Sequence, residues 1–273
     1  MTRIKGKTVL ITGGAAGMGK LIARRCHGEQ AGRLVLWDID ERALHATAEE
    51  LRAAGASVST TVVDVSSHEA IAAAARETLD RDGPVELLFN NAGVVVGKRF
   101  DLHSTAEIER SVRVNVLGAM HVARAFLPAM IERRAGHVVN IASAVALTPH
   151  PNMSVYTASK WAVLGWSESL RLELESLGAG LRVTTVCPGY IDTGMFAGAK
   201  APLFAPILKP DAAVDRIIRA VQAGRILVRM PHIVHTLPLL RGLLPTRVFD
   251  RLVGRGFGVY RSMDDFIGKA GES

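Results

Sequence analysis

Short runs rich in β-branched residues alternate with longer helical patterns along most of the chain. The run TVLIT at 8–12 is mostly apolar, as expected for a strand that is buried on both faces of a parallel sheet. Comparable runs occur at 33–37, 57–63, 85–89, 137–141, 182–186 and 225–228. Because successive β-α-β units cross over in a right-handed sense, this order predicts an α/β fold with one doubly wound sheet of about seven parallel strands.

Helix start signals lie between these runs. Ser66-x-x-Glu69 and Ser104-x-x-Glu107 each fit a capping box, in which two residues satisfy free backbone groups of the first helical turn. No internal repeat, low-complexity segment or linker precedes residue 230. We therefore expect one domain over 1–230, followed by an amphipathic helical extension over 231–273 that packs on the same domain.

Composition narrows the class of protein. Hydrophobic residues make up 48% and charged residues 22% of the 273 positions, which is typical of a soluble globular protein. The formal net charge of +7 is scattered, without a Lys/Arg run or interleaved aromatics, so we expect no nucleic-acid partner. Cys26 and Cys187 form no C-x-x-C, which favours a reducing compartment. Met1 leads almost directly into a strand, and no apolar run approaches the roughly 18 residues of a membrane span. The expected location is cytoplasmic.

The stretch TGGAAGMGKL at 12–21 can be aligned with two phosphate-binding motifs. Counted from Gly14, it matches a P-loop except at the last position, where the motif needs a hydroxyl for Mg²⁺ and this chain has Leu21. Counted from Thr12, it reads T-G-x-x-x-G-x-G, a turn that admits the pyrophosphate of a dinucleotide. The missing hydroxyl makes a nucleotidase the weakest interpretation.

The dinucleotide interpretation accounts for more residues. Gly13 permits the tight turn, Gly17 lets the backbone approach pyrophosphate, and Gly19 brings helix and strand together. Asp38 stands 19 residues after Gly19, at the end of the second predicted strand, where an acidic residue binds the adenosine ribose hydroxyls. A carboxylate there repels a 2′-phosphate, and no arginine follows it to relieve the repulsion. The sequence therefore predicts NAD(H) in preference to NADP(H).

The motif YTASK at 156–160 places a tyrosine and a lysine on one helix face. Lowering the pKa of Tyr156 by roughly three units, from about 10, needs about 4 kcal/mol of preferential stabilisation of the phenolate. The Lys160 ammonium at about 4 Å supplies roughly that at an effective dielectric near 20, and a cationic nicotinamide would add to it. Such a tyrosine could exchange the hydroxyl proton during hydride transfer. In isolation, the same spacing also fits a surface Tyr and Lys one turn apart.

The order and spacing of these motifs, from about Lys5 to Val228, resemble the short-chain dehydrogenase/reductase family. The resemblance is carried by T-G-x-x-x-G-x-G at 12–19, Asp64, N-N-A-G at 90–93, Asn115, Ser143, Y-x-x-x-K at 156–160, and P-G at 188–189 with Thr193. It implies a single Rossmann fold and an NAD(P)-dependent oxidoreductase that acts on CH–OH groups of a small-molecule substrate.

The resemblance implies a role for each catalytic position. Tyr156 would be the general acid/base, and Ser143 would orient the substrate oxygen through a hydrogen bond. Lys160 would bind the nicotinamide ribose and lower the tyrosine pKa, while Asn115 would hold a water that links Lys160 to solvent. Ser143 could instead be a solvated residue at a strand end, but it is not a hydrolase nucleophile, because its surroundings, IASAV, lack G-x-S-x-G.

The same resemblance implies cofactor contacts along one edge of the sheet. Asp64 and Val65 would contact the adenine, and Asn91 would stabilise the central strands. Backbone at Pro188 and Ile191, with the Thr193 hydroxyl, would fix the nicotinamide amide. The full implied set is Gly13, Ala16, Gly17, Met18, Gly19, Asp38, Asp64, Val65, Asn91, Ala92, Gly93, Tyr156, Lys160, Pro188, Gly189, Ile191 and Thr193.

Residues 190–210 combine small and apolar side chains, as a mobile lid over an apolar substrate would. The candidate pocket residues are Met195, Phe196, Leu203, Phe204, Ile207 and Leu208. They favour a lipid-like, steroid-like or retinoid-like alcohol or ketone. An ordinary hydrophobic loop packed on the domain explains any single one of them equally well.

The C-terminal extension contains TRVFDRLVGR at 246–255, which predicts a short basic amphipathic helix. It could lie peripherally on a membrane, cover the substrate pocket or pack against another subunit, and packing is the commonest role of such helices. His232 and His235 form H-x-x-H without a third ligand nearby, so we expect them to be structural and assign no metal site. The family resemblance also implies a homodimer or homotetramer built from long helices after Ser104 and Tyr156.

Two functions from different classes remain in view besides the nucleotidase. The first is a dehydrogenase or ketone reductase. The second is a redox sensor that binds the cofactor without turnover. A sensor would be expected to lack the tyrosine or the lysine of the catalytic motif, and both are present at Tyr156 and Lys160.

Overall fold

The computed structural model describes residues 1–268, which form seven strands and nine α-helices. The strands are β1 (Thr8–Thr12), β2 (Arg33–Asp38), β3 (Val58–Val62), β4 (Leu87–Asn90), β5 (His137–Ile141), β6 (Arg182–Pro188) and β7 (Leu227–Met230). The helices are α1 (Gly17–Gly28), α2 (Glu41–Ala53), α3 (His68–Asp82), α4 (Thr105–Val112), α5 (Ala119–Glu132), α6 (Ser154–Ser176), α7 (Pro210–Gln222), α8 (Leu237–Leu243) and α9 (Thr246–Phe249).

All seven strands pair in parallel in the order β3-β2-β1-β4-β5-β6-β7. The chain therefore adds strands in one direction from β1 to β3 and in the other from β4 to β7, which is the doubly wound arrangement. The prediction of an α/β fold with one seven-stranded parallel sheet is confirmed.

Alternate residues of the central strands pack on opposite layers of helices, because successive side chains of a strand point to opposite faces. Val9 and Ile11 join the cluster that contains α1, α2 and α7. Leu10, Val35 and Trp37 join the cluster on the other face, with α3, α5 and α6. Burial on both faces explains why the strands read as nearly continuous apolar runs.

Several element boundaries differ from the sequence predictions. Strand β4 begins at Leu87 and β7 at Leu227, each two residues later than expected. The helix start at Ser104 is the predicted capping box, but α3 begins one residue later than predicted, with Ser67 accepting a hydrogen bond from the Ala70 N–H. The reason is local: the Ser66 N–H donates to the Asp64 carboxylate at 2.8 Å, so Ser66 belongs to an Asx turn before the helix.

Helices α4 and α5 form one continuous segment over Thr105–Glu132, joined by a π-helical turn at Arg113–Gly118. By length and mean hydropathy alone, this segment could cross a membrane, with 44% of its most apolar window buried inside the protein. The expectation that no apolar stretch reaches that length is therefore wrong. The buried face of α5 explains much of the apolar character, since Val122, Phe126 and Met130 pack into the core.

The C-terminal extension folds back onto the strand domain. After a 3₁₀ turn at His232–His235, helices α8 and α9 lead into a π-helical turn at Asp250–Gly256. The predicted amphipathic helix corresponds to α9 and this turn, with Phe249 and Val253 buried. These two residues belong to an apolar cluster that also includes Ala144, next to the end of β5.

His137, the first residue of β5, is a buried polar residue between strand neighbours. Its Nδ1 contacts the Thr2 hydroxyl at 2.9 Å and its Nε2 contacts the Thr184 hydroxyl at 2.8 Å. Thr184 donates its own proton to the Arg225 carbonyl, so His137 Nε2 must carry a hydrogen. Burial is the main cause that lowers the pKa of His137 to about 3.

This histidine should make stability fall as the pH is lowered. Below its ordinary pKa of about 6.5, the unfolded chain binds a proton that the folded protein does not accept until about pH 3. Between pH 7 and pH 5, we expect His137 to account for a loss on the order of 2 kcal/mol in unfolding free energy. Urea unfolding should show that His137→Gln loses less unfolding free energy between pH 7 and pH 5 than the unsubstituted protein does. The exposed control His45→Gln should lose as much as the unsubstituted protein. An identical pH dependence in all three proteins would contradict this account.

Candidate active site

The glycine-rich turn lies where β1 ends and α1 begins. Gly13 and Gly17 both have positive φ, at 66° and 51°, a region that glycine enters without strain. A Cβ on Gly19 would lie 1.9 Å from the Gly13 carbonyl oxygen, so only glycine allows α1 this close to the strand. The residue before α1, Ala16, supplies no side-chain cap, which leaves the first N–H groups of the helix available to an anion.

Asn91 ties the end of β4 to this turn. Its side-chain amide donates to the Thr12 carbonyl at 3.0 Å and to the Gly13 carbonyl at 3.2 Å. In return, the Thr12 hydroxyl accepts from the backbone N–H groups of Asn91 and Ala92, each at 3.1 Å. The structure thus places Asn91 in a structural clamp between β1 and β4, with Thr12 as a partner to which the sequence interpretation gave no role.

The acidic residues after β2 and β3 lie farther out along the same edge. Asp38 is half-buried and accepts hydrogen bonds from the backbone N–H groups of Ala15, at 2.9 Å, and Asp40, at 3.1 Å. These bonds hold the Asp38 carboxylate beside the glycine turn. Asp64 is exposed, while Val65 is half-buried against the long helix, where a Cβ on Gly118 would lie 2.7 Å from its carbonyl oxygen.

Three of the candidate catalytic residues are brought together by β5 and α6. Ser143 follows the end of β5, and Tyr156 and Lys160 lie one turn apart on α6. All three are less than a tenth exposed. Lys160 Nζ lies 5.7 Å from the centroid of the Tyr156 ring and donates to the Ile141 carbonyl at 3.0 Å. The hydrogen bonds of the Ser143 hydroxyl to the Pro188 carbonyl and the Val145 N–H are long, at 3.4 Å, so the hydroxyl can turn toward a ligand.

Asn115 joins this cluster from the π-helical turn, a feature that is frequent at functional sites. Its Oδ1 accepts from the Val94 N–H at 2.8 Å, and its Nδ2 donates to the Val94 carbonyl and the Ser159 hydroxyl, at 2.9 and 3.0 Å. A Cβ on Gly93 would meet Asn115 Oδ1 at 3.1 Å and Lys160 Nζ at 3.5 Å. Gly93, Asn115 and Lys160 therefore meet in one small space.

The ionisation of the Tyr156–Lys160 pair differs from the sequence expectation. Burial raises the pKa of Tyr156 above its ordinary value, and the nearby Ser143 hydroxyl opposes this only in part. Burial also lowers the pKa of Lys160, to about 8. In the cofactor-free site, burial therefore outweighs the lowering of the Tyr156 pKa that the sequence predicts from Lys160. The physical reason is that removing both groups from water disfavours both charges, while Lys160 directs a proton to a backbone carbonyl instead.

The segment after β6 closes the cleft from the other side. Strand β6 ends at Pro188, and the Gly189 N–H donates to the Met230 carbonyl at 2.6 Å. Ile191 is buried and pairs with Leu208 as an isolated parallel bridge. A Cβ on Gly17 would lie 3.7 Å from the Thr193 side chain, so Thr193 faces the start of α1 across the cleft.

An apolar cavity of about 730 Å³, counted with the space open to solvent at its mouth, begins at Ser143. Its wall consists of Ser143, Ala144, Val145, Thr148, His150, Met153, Gly189, Tyr190, Phe196, Pro202, Leu203, Ala205, Pro231, Ile233, Val234, Leu237, Val253, Phe257, Val259 and Ser262.

The structure corrects the predicted pocket residues. Phe196 and Leu203 line the cavity, but Met195, Phe204, Ile207 and Leu208 do not. Leu208 packs against the main core because the bridge from Ile191 draws it there. Phe204 is 64% exposed and packs edge-on against Phe257, with ring centroids 5.7 Å apart.

Much of the cavity wall comes from residues that the sequence interpretation missed. Ile233, Val234, Leu237, Val253, Phe257, Val259 and Ser262 belong to the C-terminal extension. Of the three roles considered for this extension, the observed packing matches the one that covers the pocket. His150 and Tyr190 were also missed, although Tyr190 directly follows the P-G motif, which is a signal that could have identified it.

The residues behind the rival interpretations have other partners. Lys20, the lysine of the P-loop alignment, is partly buried and forms an ion pair with Glu50 at 2.7 Å. His232 and His235 stack with ring centroids 6.2 Å apart, and His235 Nε2 contacts the Arg229 carbonyl. Within residues 1–268, no three His, Cys, Asp or Glu side chains are arranged to hold a metal ion.

Comparisons with known proteins point to one family. The family model for short chain dehydrogenase matches residues 7–202. Estradiol 17-beta-dehydrogenase 11 of Rattus norvegicus is 36% identical over 92% of this chain and 84% of that protein. Epidermal retinol dehydrogenase 2 of Mus musculus is 36% identical over 97% of this chain and 87% of that protein.

Solved structures show the same fold with either cofactor. A short chain dehydrogenase/reductase from Burkholderia phymatum in complex with NAD has a TM-score of 0.79 at 30% identity, over 93% of this chain and 97% of that one. A metagenomic short-chain oxidoreductase in complex with NADP has a TM-score of 0.71 at 31% identity, over 84% and 99%.

The buried lysine should cost stability at neutral pH. Because the pKa of Lys160 falls from 10.5 to about 8, holding its charge inside the folded protein at pH 7 costs about 3 kcal/mol. We expect Lys160→Met to raise the unfolding free energy of the cofactor-free protein at pH 7 by part of this amount, since the Ile141 carbonyl loses its donor.

The unfolded chain keeps its Lys160 proton up to about pH 10.5, so the advantage of Lys160→Met should shrink as the pH rises from 8 toward 10.5. Chemical denaturation at several pH values measures this stability advantage, and the exposed Lys5→Met is the matched control. A variant that is destabilised at pH 7, or an advantage that does not change with pH, would contradict the assignment.

Proposed function

The chain belongs to the short-chain dehydrogenase family, and we propose that it transfers a hydride between NAD(H) and a hydrophobic secondary alcohol or ketone. The observation that carries the proposal is one juxtaposition: Ser143, Tyr156 and Lys160 converge beside the glycine turn, and an apolar cavity begins at Ser143. Members of this family act on CH–OH groups, as the names of the dehydrogenase relatives indicate.

The residues at the sheet edge fit a dinucleotide. The uncapped N-terminus of α1 and the close approach at Gly19 suit a pyrophosphate, and Asp38 is held where it can accept hydrogen bonds from ribose hydroxyls. Ile39 follows Asp38, so no arginine stands next to it to neutralise a 2′-phosphate. We therefore propose NAD(H) as the preferred cofactor. When bound, the nicotinamide accepts or gives the hydride.

The side chains of this chain would manage the proton and the substrate oxygen. The Ser143 hydroxyl would donate a hydrogen bond to that oxygen, which keeps the reacting carbon in position. In oxidation, the Tyr156 phenolate would take the hydroxyl proton, and in reduction the phenol would return it. Burial alone opposes the phenolate, so ionisation at neutral pH needs positive charge from Lys160 and the bound cofactor.

Lys160 and a water held by Asn115 would carry the proton onward to solvent. The two hydrogens of the Asn115 side-chain amide are already donated to Val94 and Ser159, so a bridging water would bind to an oxygen of Asn115. Lys160, with its pKa near 8, can exchange a proton with such a water close to neutral pH. This relay rests on the close packing of Gly93, Asn115 and Lys160.

The substrate side of the site favours an apolar molecule. Apolar side chains from three places enclose the cavity: the segment after β5, the segment after β6 and the C-terminal extension. The names of two relatives with about 36% identity refer to estradiol and retinol, which are hydrophobic alcohols. Both facts support a steroid-like, retinoid-like or other lipid-like substrate.

The rival function is a redox sensor that binds the cofactor without turnover. It is weaker because all four candidate catalytic residues are present, and Ser143 also borders the cavity. The absorbance of NADH, followed across a panel of hydrophobic secondary alcohols and ketones, separates the two functions. Cofactor binding without turnover of any panel member would favour the sensor.

Assembly and location remain predictions. The apolar residues Val112, Leu117, Trp161 and Leu172 on α4, the π-helical turn and α6 are exposed in the single chain, as expected of a homodimer or homotetramer interface. On the extension, the exposed Leu239, Leu243, Val248 and Leu252 stand near Arg247 and Arg251, which suits peripheral contact with an anionic membrane. A cytoplasmic location is consistent with either.

Tyr156→Phe should abolish turnover while leaving NAD(H) binding largely intact, because the substitution removes only the hydroxyl that exchanges the proton. Activity assays should be paired with fluorescence titration of NADH, and a loss of at least a hundredfold in kcat is expected, in line with the usual contribution of general acid/base catalysis of about 10²–10⁴. Tyr260→Phe, outside the cavity wall, is the matched control. Near-normal activity in Tyr156→Phe would overturn the mechanism.

The cofactor assignment predicts tighter binding of NAD(H) than of NADP(H). Asp38→Asn should narrow the difference, because it removes the negative charge that repels the 2′-phosphate while keeping a side chain that can accept a hydrogen bond from the Ala15 N–H. Titrating each cofactor into the unsubstituted protein and into Asp38→Asn measures this difference in affinity. Tighter binding of NADP(H) by the unsubstituted protein would show the assignment to be wrong.

A further inference from the structure

A second group of polar side chains borders the cavity besides Ser143. His150 Nε2 lies 2.8 Å from the Ser262 hydroxyl and 3.2 Å from the Tyr190 hydroxyl, and these two hydroxyls are 2.8 Å apart. All three residues line the cavity, although Ser262 is 112 positions from His150 along the chain. The rest of the wall is almost entirely apolar, so these groups stand out chemically.

His150, Tyr190 and Ser262 thus form a triangle of polar groups, and the positions of its protons can be assigned from their hydrogen-bond partners. His150 Nδ1 lies 2.8 Å from the Pro151 carbonyl, which only accepts, so Nδ1 carries the hydrogen. Burial lowers the pKa of His150, which keeps the ring neutral and leaves Nε2 as an acceptor. The triangle then contains two hydroxyl protons, one on Tyr190 and one on Ser262.

Both hydroxyl protons are used within the protein. In one arrangement Ser262 donates to His150 Nε2 and Tyr190 donates to Ser262. In the other, Ser262 donates to the Val259 carbonyl at 2.9 Å, and Tyr190 donates either to Ser262 or to His150 Nε2. In either case no donor is left over, while a lone pair on the Tyr190 oxygen remains free. Burial raises the pKa of Tyr190 to about 12, so the phenol is protonated in each of these arrangements.

We propose that the Tyr190 oxygen, oriented by Ser262 and His150, accepts a hydrogen bond from a second hydroxyl group on an otherwise hydrophobic substrate. The inference rests on the proposed function, since it concerns the same cavity. It deepens that function by naming a substrate class: apolar alcohols that carry a further hydroxyl away from the reacting carbon. A carbonyl or an ether oxygen at that place is disfavoured, because it has no proton to offer.

The location of the triangle suits this task. Tyr190 packs edge-on against Phe196, with centroids 5.1 Å apart, and Phe196 packs in the same way against Tyr156, at 6.1 Å. Phe196 therefore contacts both the proton-exchanging phenol and the Tyr190 phenol. An apolar substrate that contacts Phe196 could reach one oxygen at each end. Ser262 also connects Tyr190 to the extension that covers the cavity.

The test uses substrates that differ only at the distal group. Straight-chain secondary alcohols of about six to twelve carbons would carry, at the far end, a hydroxyl, a methyl ether or a plain methyl group. We expect NAD⁺-dependent kcat/KM to be about fivefold to tenfold higher for the best hydroxyl compound than for its methyl ether, mainly through KM, as one net hydrogen bond would give. The ether keeps the oxygen and removes its proton.

The variants assign the preference to the triangle. In Tyr190→Phe the ratio of hydroxyl to ether should fall to about one, and Ser262→Ala, which removes the group that orients Tyr190, should lower it too. Tyr260→Phe, a phenol of the extension that bonds Asp250 outside the cavity, should keep the ratio. These ratios do not depend on the absolute activity of each variant.

The contrary outcomes are distinct. A ratio near one in the unsubstituted enzyme at every chain length, with normal turnover of the plain alcohols, would overturn this inference alone. A ratio that survives in Tyr190→Phe would also overturn it, since the triangle would then serve only to fasten the extension. No turnover of any alcohol would overturn the proposed function and this inference with it.

Discussion

Strands β1 and β4 lie side by side at the point where the chain reverses the direction in which it adds strands to the sheet. At such a point the loops after neighbouring strands turn away to opposite faces and leave a crevice. The clamp between Asn91 and Thr12 holds the two strand ends together there. Because every strand is parallel, the glycine turn, Ser143 and Pro188 reach the same edge. The position of the site therefore follows from the pairing of β1 with β4 in a parallel sheet.

Burial disfavours electric charge on the two catalytic side chains at this edge of the sheet. It raises the pKa of Tyr156 and lowers that of Lys160, so it disfavours the phenolate and the ammonium alike. Neighbouring polar groups hold the pair in place without supplying charge: Asn115 bonds Ser159 of α6 at 3.0 Å, and Asn140 of β5 bonds Ser167 of α6 at 2.8 Å. Positive charge delivered with the cofactor would then have a large effect, because little water is present to screen it. We therefore expect Tyr156 to become a base only when the cofactor is bound.

The sequence predicted correctly those structural features that depend on neighbouring residues along the chain. The apolar run of β5 and the capping box at Ser104 were predicted at the observed residues because neighbours along the chain determine them. The start of β7 was displaced by two residues because its pairing with β6, which joins Thr185 to Leu227, sets the register. The triangle of His150, Tyr190 and Ser262 depends on how the extension folds back, and no spacing in the sequence encodes that. The ionisation of Tyr156 was missed for a related reason, since desolvation depends on the whole surrounding fold.

The central claim is that Tyr156 becomes a base only with the cofactor in place. The chain has three tyrosines, so phenolate absorbance near 295 nm can be followed for one of them by subtracting the Tyr156→Phe titration. The account predicts that Tyr156 stays protonated beyond pH 10 in the cofactor-free protein, and that saturating NAD⁺ moves its titration toward neutral pH. A phenolate that already forms near neutral pH without cofactor, or a titration that NAD⁺ leaves in place, would contradict it.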